Sequence, residues 1–164
     1  MKSIREKNHR LPPECYRGAV KAAFTINTED KQPFFLGDPV REIARTALAE
    51  SFHLNHGHAA VFVFMPEHLH LIVSGQGPES DLLALVKDFK QKTTFRARKA
   101  GHVFGWQKDF YDHLIRASED YGAQVHYLLR NPVRRGLVAH WEHWPHRGVL
   151  GQTWEQLAVN IGTL

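Results

Sequence analysis

The apolar run over residues 59–73, which holds two histidines, is interrupted at Met65-Pro66-Glu67. Proline cannot donate to a central strand ladder. The run therefore divides into a buried strand over residues 59–64, a tight turn at Pro66 and a partner strand over residues 69–73. Upstream, residues 16–28 contain Ala19-Val-Lys-Ala-Ala-Phe-Thr-Ile26, which predicts the first strand, and residues 28–33 form a loop. Asp38-Pro39 starts a helix, with Asp as the cap and Pro at the first helical position. Ile43, Ala47, Leu48 and Phe52 then recur at helical spacing. His53, His56 and His58 mark the helix end and a polar turn through Gly57.

Gly75-Gln-Gly-Pro-Glu-Ser80 breaks the chain again, and Ser80 is placed to cap a second helix from Asp81 to about Lys99. Leu82, Leu85, Val86, Phe89 and Phe95 make its apolar side. Gly101 and Gly105 bracket a turn, after which residues 110–115 predict a short strand. Ser118-Glu119-Asp120 opens a third helix, a capping hydroxyl followed by carboxylates near the positive dipole end. That helix runs to Asn131-Pro132, where proline disfavours helical backbone at Asn131 and predicts a kink or an end. Pro132-Val-Arg-Arg-Gly136 adds one further turn capped by Gly136. The order strand, helix, strand, strand, helix, short strand, helix predicts an α+β, ferredoxin-like fold, an antiparallel sheet with helices packed on one face. Residues 1–13 read as a basic arm (Lys2, Arg5, Lys7, His9 and Arg10 ahead of Pro12-Pro13), and residues 139–164 as a Trp- and His-rich tail.

Composition narrows the class without naming a function. At 164 residues, 43% hydrophobic and 23% charged, the chain fits one soluble globular domain spanning 1–164. Cys15 is the only cysteine, so no intrachain disulfide can form, as suits a reducing cytoplasm. No apolar run approaches membrane-spanning length, and no apolar core follows the basic start, so neither a membrane partner nor a signal peptide is expected. A formal charge of +4 favours an anionic partner, with nucleic acid the leading candidate. The later part of the second helix is strongly basic, carrying Lys87, Lys90, Lys92, Arg96, Arg98 and Lys99. It reads either as a solvated face with favourable charge at the helix C-terminus or as a phosphate-contacting ridge. Lys87, Lys90, Lys92, Arg96 and Arg98, with Arg134 and Arg135 further on, are the candidate DNA contacts.

The candidate chemistry lies in Met65-Pro-Glu-His-Leu-His-Leu-Ile-Val-Ser-Gly75. A strand places i and i+2 on one face, so His68 and His70 project together, their Cα atoms roughly 6.5–7 Å apart, close enough for two imidazoles to reach one ion. Tyr127 and Asn131 are spaced i, i+4 and share a helix face, offset by about 6 Å along the axis. A helix beside the histidine strand could present a phenol and an amide oxygen to the same point. Two imidazoles and an amide oxygen leave room for water and a phosphate oxygen around Mg2+ or Mn2+, whereas zinc more usually takes a third His, Cys or carboxylate. By spacing alone, Tyr127 could equally be a core aromatic and Asn131 a helix-ending residue before proline.

Three blocks occur in order: Met65-Pro-Glu-His-Leu-His-Leu-Ile-Val73, Trp106-Gln-Lys-Asp-Phe-Tyr-Asp-His-Leu-Ile-Arg116 and Tyr127-Leu-Leu-Arg-Asn-Pro-Val-Arg-Arg-Gly-Leu-Val138. Together they resemble the single-tyrosine HUH transposases, in particular the REP-associated tyrosine transposases of bacteria, over about residues 20–144. The resemblance implies a metal-dependent endonuclease and strand transferase on single-stranded DNA, often at hairpins, working in the cytoplasm and at the nucleoid when DNA-bound. It matches His68 and His70 to the metal-binding pair, Asn131 to the residue completing the metal site, and Tyr127 to the nucleophile that forms a 5′-phosphotyrosine. Both monomers and homodimers occur in this group. The competing readings are a catalytically inactive nucleic-acid-binding regulator on the same scaffold, and a small metal-binding protein built around the His-x-His pair.

Overall fold

The structure, a computed structural model, describes residues 10–164; Lys2, Arg5, Lys7 and His9 of the basic arm lie outside it. A ferredoxin-like unit forms from β1 (Lys21–Asn27), α1 (Asp38–Leu54), β2 (Gly57–Met65), β3 (His68–Gly75), α2 (Leu82–Lys99) and β4 (Tyr111–Leu114). Beyond it come α3 (Tyr121–Leu129), α4 (Asn131–Arg134), β5 (Arg147–Leu150) and α5 (Trp154–Ile161). The five strands run in the order β4-β1-β3-β2-β5 with every pairing antiparallel. Among the described residues no helix is long and apolar enough to cross a membrane.

The helices cover both faces of the sheet, which departs from the one-face expectation. α1 and α2 cross over one face and enclose Phe24, Ile26, Phe62, Phe64, Leu69, Leu71 and Val73. On the other face Val125, Leu128 and Leu129 of α3 and Leu157 of α5 bury Val61, Val63, Met65 and Ile72. The cause lies in β2, where residues 60–65 are all buried. A strand apolar on both sides must be covered on both sides. The second layer comes from the C-terminal tail and α3, and the tail also supplies β5 at the β2 edge.

Local starts differ from expectation by a residue or two. Gly37 is the N-cap of α1, and Asp38 instead pairs with buried Arg41 one turn on. Asp81 caps α2 by accepting from the Ala84 N–H at 2.9 Å, while buried Ser80 donates to the His56 carbonyl at 2.7 Å. Asp120 caps α3 in the same way, through the Ala123 N–H at 2.9 Å. The chain turns at Arg130 and resumes as α4, ending at Gly136 with φ +70°. Phe95, expected on the apolar side of α2, is 66% exposed.

Candidate active site

β3 is the centre of the sheet, and its register fixes the site. His70 pairs with Thr25 of β1 on one side and Val63 of β2 on the other, and Thr25 pairs in turn with Tyr111 of β4. Alternation turns His68, His70 and Ile72 toward the face that α3 covers. α3 buries Val125, Leu128 and Leu129 against that face, which leaves Tyr127 on the opposite side of the helix, 59% exposed. Tyr127 nevertheless lines a cleft of about 580 Å³ together with His70, Thr25, Tyr111, His113 and Gln124.

The two imidazoles meet edge to face, with Nε2 to Nε2 at 2.9 Å. Each is held from behind. His68 Nδ1 lies 3.0 Å from the Glu67 carboxylate, and His70 Nδ1 lies 3.1 Å from Thr25 Oγ1. Such partners fix ring orientation and tautomer, leaving Nε2 of each ring directed at the other. Burial pulls His70 down to about 3, reinforced by the neighbouring His68 and Arg134 charges. Burial also lowers His68, opposed by Glu67. Both rings are therefore neutral near pH 7, the state in which imidazole binds metal. Burial alone would raise Glu67, but its bond to Arg135 and the adjacent His68 hold it below the usual carboxylate range.

Asn131 is 6% exposed and within hydrogen-bonding reach of His70. Its Nδ2 donates to the Tyr127 and Leu128 carbonyls at 3.3 and 3.4 Å, and its Oδ1 accepts from Arg134 at 3.2 Å. The Arg134 guanidinium also lies 3.8 Å from the centroid of the Tyr127 ring, so one side chain touches both the phenol and the amide. Among the described residues no group of three or more His, Cys, Asp or Glu side chains is arranged around a metal position. The donor set is two imidazoles and an amide oxygen. The 2.9 Å between the two Nε2 atoms is close to the ~3 Å that bonds of ~2.1 Å set between adjacent donors of an octahedral cation, and the amide oxygen adds a hard donor to two borderline nitrogens. Water and phosphate oxygens would have to complete the shell.

The structure thus brings His68, His70, Asn131, Tyr127 and Arg134 together, with Arg135 alongside through its 2.6 Å bond to Glu67. It does not bring the basic part of α2 to them, because α2 packs on the opposite face of the sheet. Along α2, Lys92 pairs with Asp88 at 2.5 Å and Arg96 binds both oxygens of Glu50 at 3.0 and 2.6 Å. Lys90 donates to the Gln107 and Lys108 carbonyls and Arg98 to that of Phe104, while Lys87 is exposed. Sequence spacing missed Glu67, Thr25, Tyr111, His113 and Gln124. Gln124 could have been found, since it shares the helical stripe of Tyr127 three residues on. Thr25, Tyr111 and His113 enter through strand register, which leaves no local signal.

Fold and cleft define the class first: a ferredoxin-like domain that sets a histidine pair on its central strand beside one tyrosine of a later helix. No protein-family model matches the chain. An Escherichia coli K12 protein named REP-associated tyrosine transposase is 32% identical over 138 residues, covering 77% of this chain and 76% of its own. A Haemophilus influenzae protein provisionally given the same name is 28% identical over 136 residues, covering 75% and 76% respectively. A solved structure described as a REP-associated tyrosine transposase bound to a REP hairpin superposes with a TM-score of 0.75 at 23% identity, covering 97% of this chain and 88% of the other. The chain belongs to the family of REP-associated tyrosine transposases.

Proposed function

We propose that this chain cuts and rejoins single-stranded DNA at hairpin elements, with Tyr127 as the nucleophile and Mg2+ or Mn2+ held by His68, His70 and Asn131. The observation that carries the reading is that His70 and Tyr127 line one cleft, with the second imidazole 2.9 Å behind the first. The Tyr127 phenol oxygen attacks the scissile phosphorus. The bond to the 3′ oxygen breaks, leaving a 3′-hydroxyl on one strand and the 5′ end on the tyrosine. Attack by a 3′-hydroxyl on that linkage reverses the step and rejoins DNA. A divalent cation, when bound, polarises the phosphate and neutralises its charge. Arg134 restricts the phenol by stacking on it and places a phosphate-binding guanidinium beside the nucleophile. The hairpin bound by the structural neighbour, and the names of the relatives, favour hairpin DNA as the substrate. One chain lines the cleft with both His70 and Tyr127, which supports cleavage within a single subunit.

The test is a labelled single-stranded hairpin incubated with the protein and Mg2+ or Mn2+, then resolved on a denaturing gel. A covalent adduct is expected, absent in Tyr127→Phe and reduced in His70→Ala, with DNA binding retained in both. An adduct that persists in Tyr127→Phe refutes the assignment of the nucleophile. Tight binding with no adduct in any metal makes the chain a binding module on the same scaffold.

A further inference from the structure

α2 has two basic sides with different fates. Lys92 and Arg96 are consumed by Asp88 and by Glu50 of α1. On the other side a groove of about 700 Å³ runs between α2 and residues 105–108, lined by Lys90, Phe95, Arg98, Lys99, Trp106 and Lys108. Among the described residues Glu29 is its only acidic lining residue. The groove is preformed. Lys90 Nζ donates to the Gln107 and Lys108 carbonyls at 2.8 and 2.9 Å, and Arg98 Nε to the Phe104 carbonyl at 3.0 Å, which ties the segment to the helix. Trp106 is fixed against Phe35, Phe89 and Phe104 with ring centroids 5.5, 5.4 and 5.1 Å away. Its indole N–H has no acceptor among the described residues. Phe95 is the exception to this order, two-thirds exposed with the Lys99 ammonium 5.8 Å from its ring centroid.

We infer that this groove is a second seat for single-stranded nucleic acid, in which a base stacks on Phe95 and the adjoining phosphates meet Lys99 and the outer nitrogens of Arg98. An exposed aromatic set among cations offers what an unpaired strand presents, a flat π-face and a negative backbone. An acidic peptide would use the cations but has no need of the ring. The seat lies on the face of the sheet opposite the histidine pair, so it holds a segment of strand other than the one at the cleft. It rests on the reading of the chain as a DNA-handling protein, but not on cleavage.

The test measures fluorescence anisotropy of a labelled eight-nucleotide oligothymidylate with the full chain and with Phe95→Ala and Lys99→Gln. Loss of one stacked base predicts at least fivefold weaker binding for Phe95→Ala. Lys99→Gln should weaken binding two- to fivefold and flatten the salt dependence. Photocrosslinking of a 5-iododeoxyuridine version should label the peptides carrying Phe95 or Trp106. Unchanged affinity in Phe95→Ala, crosslinks confined to Tyr111 and Tyr127, or stronger binding of an eight-residue polyglutamate would each overturn the seat. Failure of the wild-type chain to form a hairpin adduct would instead remove the catalytic reading and leave this result standing.

Discussion

Glu67 ties the histidine pair to the rest of the chain, and its charge can be removed without changing its size. The carboxylate is 15% exposed and accepts from His68 Nδ1 at 3.0 Å and from Arg135 at 2.6 Å. Both donors meet the same oxygen, Oε1, so in Glu67→Gln an amide oxygen can take its place and accept from both, but without the negative charge that strengthens each bond. The His68 ring then keeps only a neutral acceptor behind Nδ1, which holds its tautomer less firmly and makes Nε2 less basic toward a cation. Loss of a carboxylate behind a metal-binding histidine costs 10–100-fold in affinity, or ~1.4–2.7 kcal/mol. Folding should respond much less. Arg135 is 49% exposed, so its pair with Glu67 contributes at most ~1 kcal/mol, part of it offset by relief of the carboxylate's desolvation. The assay is Mn2+ titration followed by electron paramagnetic resonance of the free ion, comparing Tyr127→Phe with Tyr127→Phe/Glu67→Gln. Urea unfolding of the same pair reports stability. Weaker Mn2+ binding by at least tenfold, with unfolding free energy changed by no more than ~1 kcal/mol, is expected. Mn2+ affinity within twofold of the parent would refute the idea that Glu67 orients His68 for a cation.

Other perturbations address the scaffold. Burial lowers the Lys90 ammonium to about 8, below the ordinary lysine value. The folded chain thus binds fewer protons than the unfolded chain between pH 8 and roughly 10.4, so stability rises with pH across that window. Wild type should gain on the order of 2 kcal/mol relative to Lys90→Met between pH 7.5 and 10, and parallel urea-midpoint profiles would contradict this. Gly151 has φ +69°, and a Cβ there would lie 2.1 Å from the His58 carbonyl oxygen. Gly151→Ala should therefore cost ~2 kcal/mol or more in chemical denaturation, and a neutral result would contradict the tight contact of this turn with residue 58. Leu157 of α5 is fully buried against the second sheet face. Leu157→Ala should destabilise by ~2–4 kcal/mol; a loss under 0.5 kcal/mol by calorimetry would mean that α5 is not part of the core.

What could be read before the structure divides along one line, between local signals and pairings made at long range. Pro66 and the apolar runs beside it mark the β2–β3 hairpin, and with it the shared face of His68 and His70. The i, i+4 spacing points to one helix face for Tyr127 and Asn131, but the chain turns at Arg130, so Asn131 opens α4 in a buried place while Tyr127 on α3 is 59% exposed, and Arg134 touches both. Two further features carry local signals. Phe95 lies off the 82, 85, 86, 89 stripe, which Thr93 and Ala97 continue into the core, so spacing should have outweighed its hydrophobicity. Thr153 and Gln156 form a capping box before Leu157, a helix start legible in the Trp- and His-rich tail. The cations of α2 were different. Whether Arg96 meets a phosphate or Glu50 is decided by the packing of α1 on α2, which no window along the chain contains. The two-sided sheet was legible in principle. Residues 60–65 are buried without alternation, and a strand of that kind cannot leave one face to water. Something from the C-terminal half had to cover the face bearing the histidines. α3 and α5 do so, and α3 thereby brings Tyr127 to the histidine cleft. The same hydrophobic demand that closes the second core assembles the candidate active site.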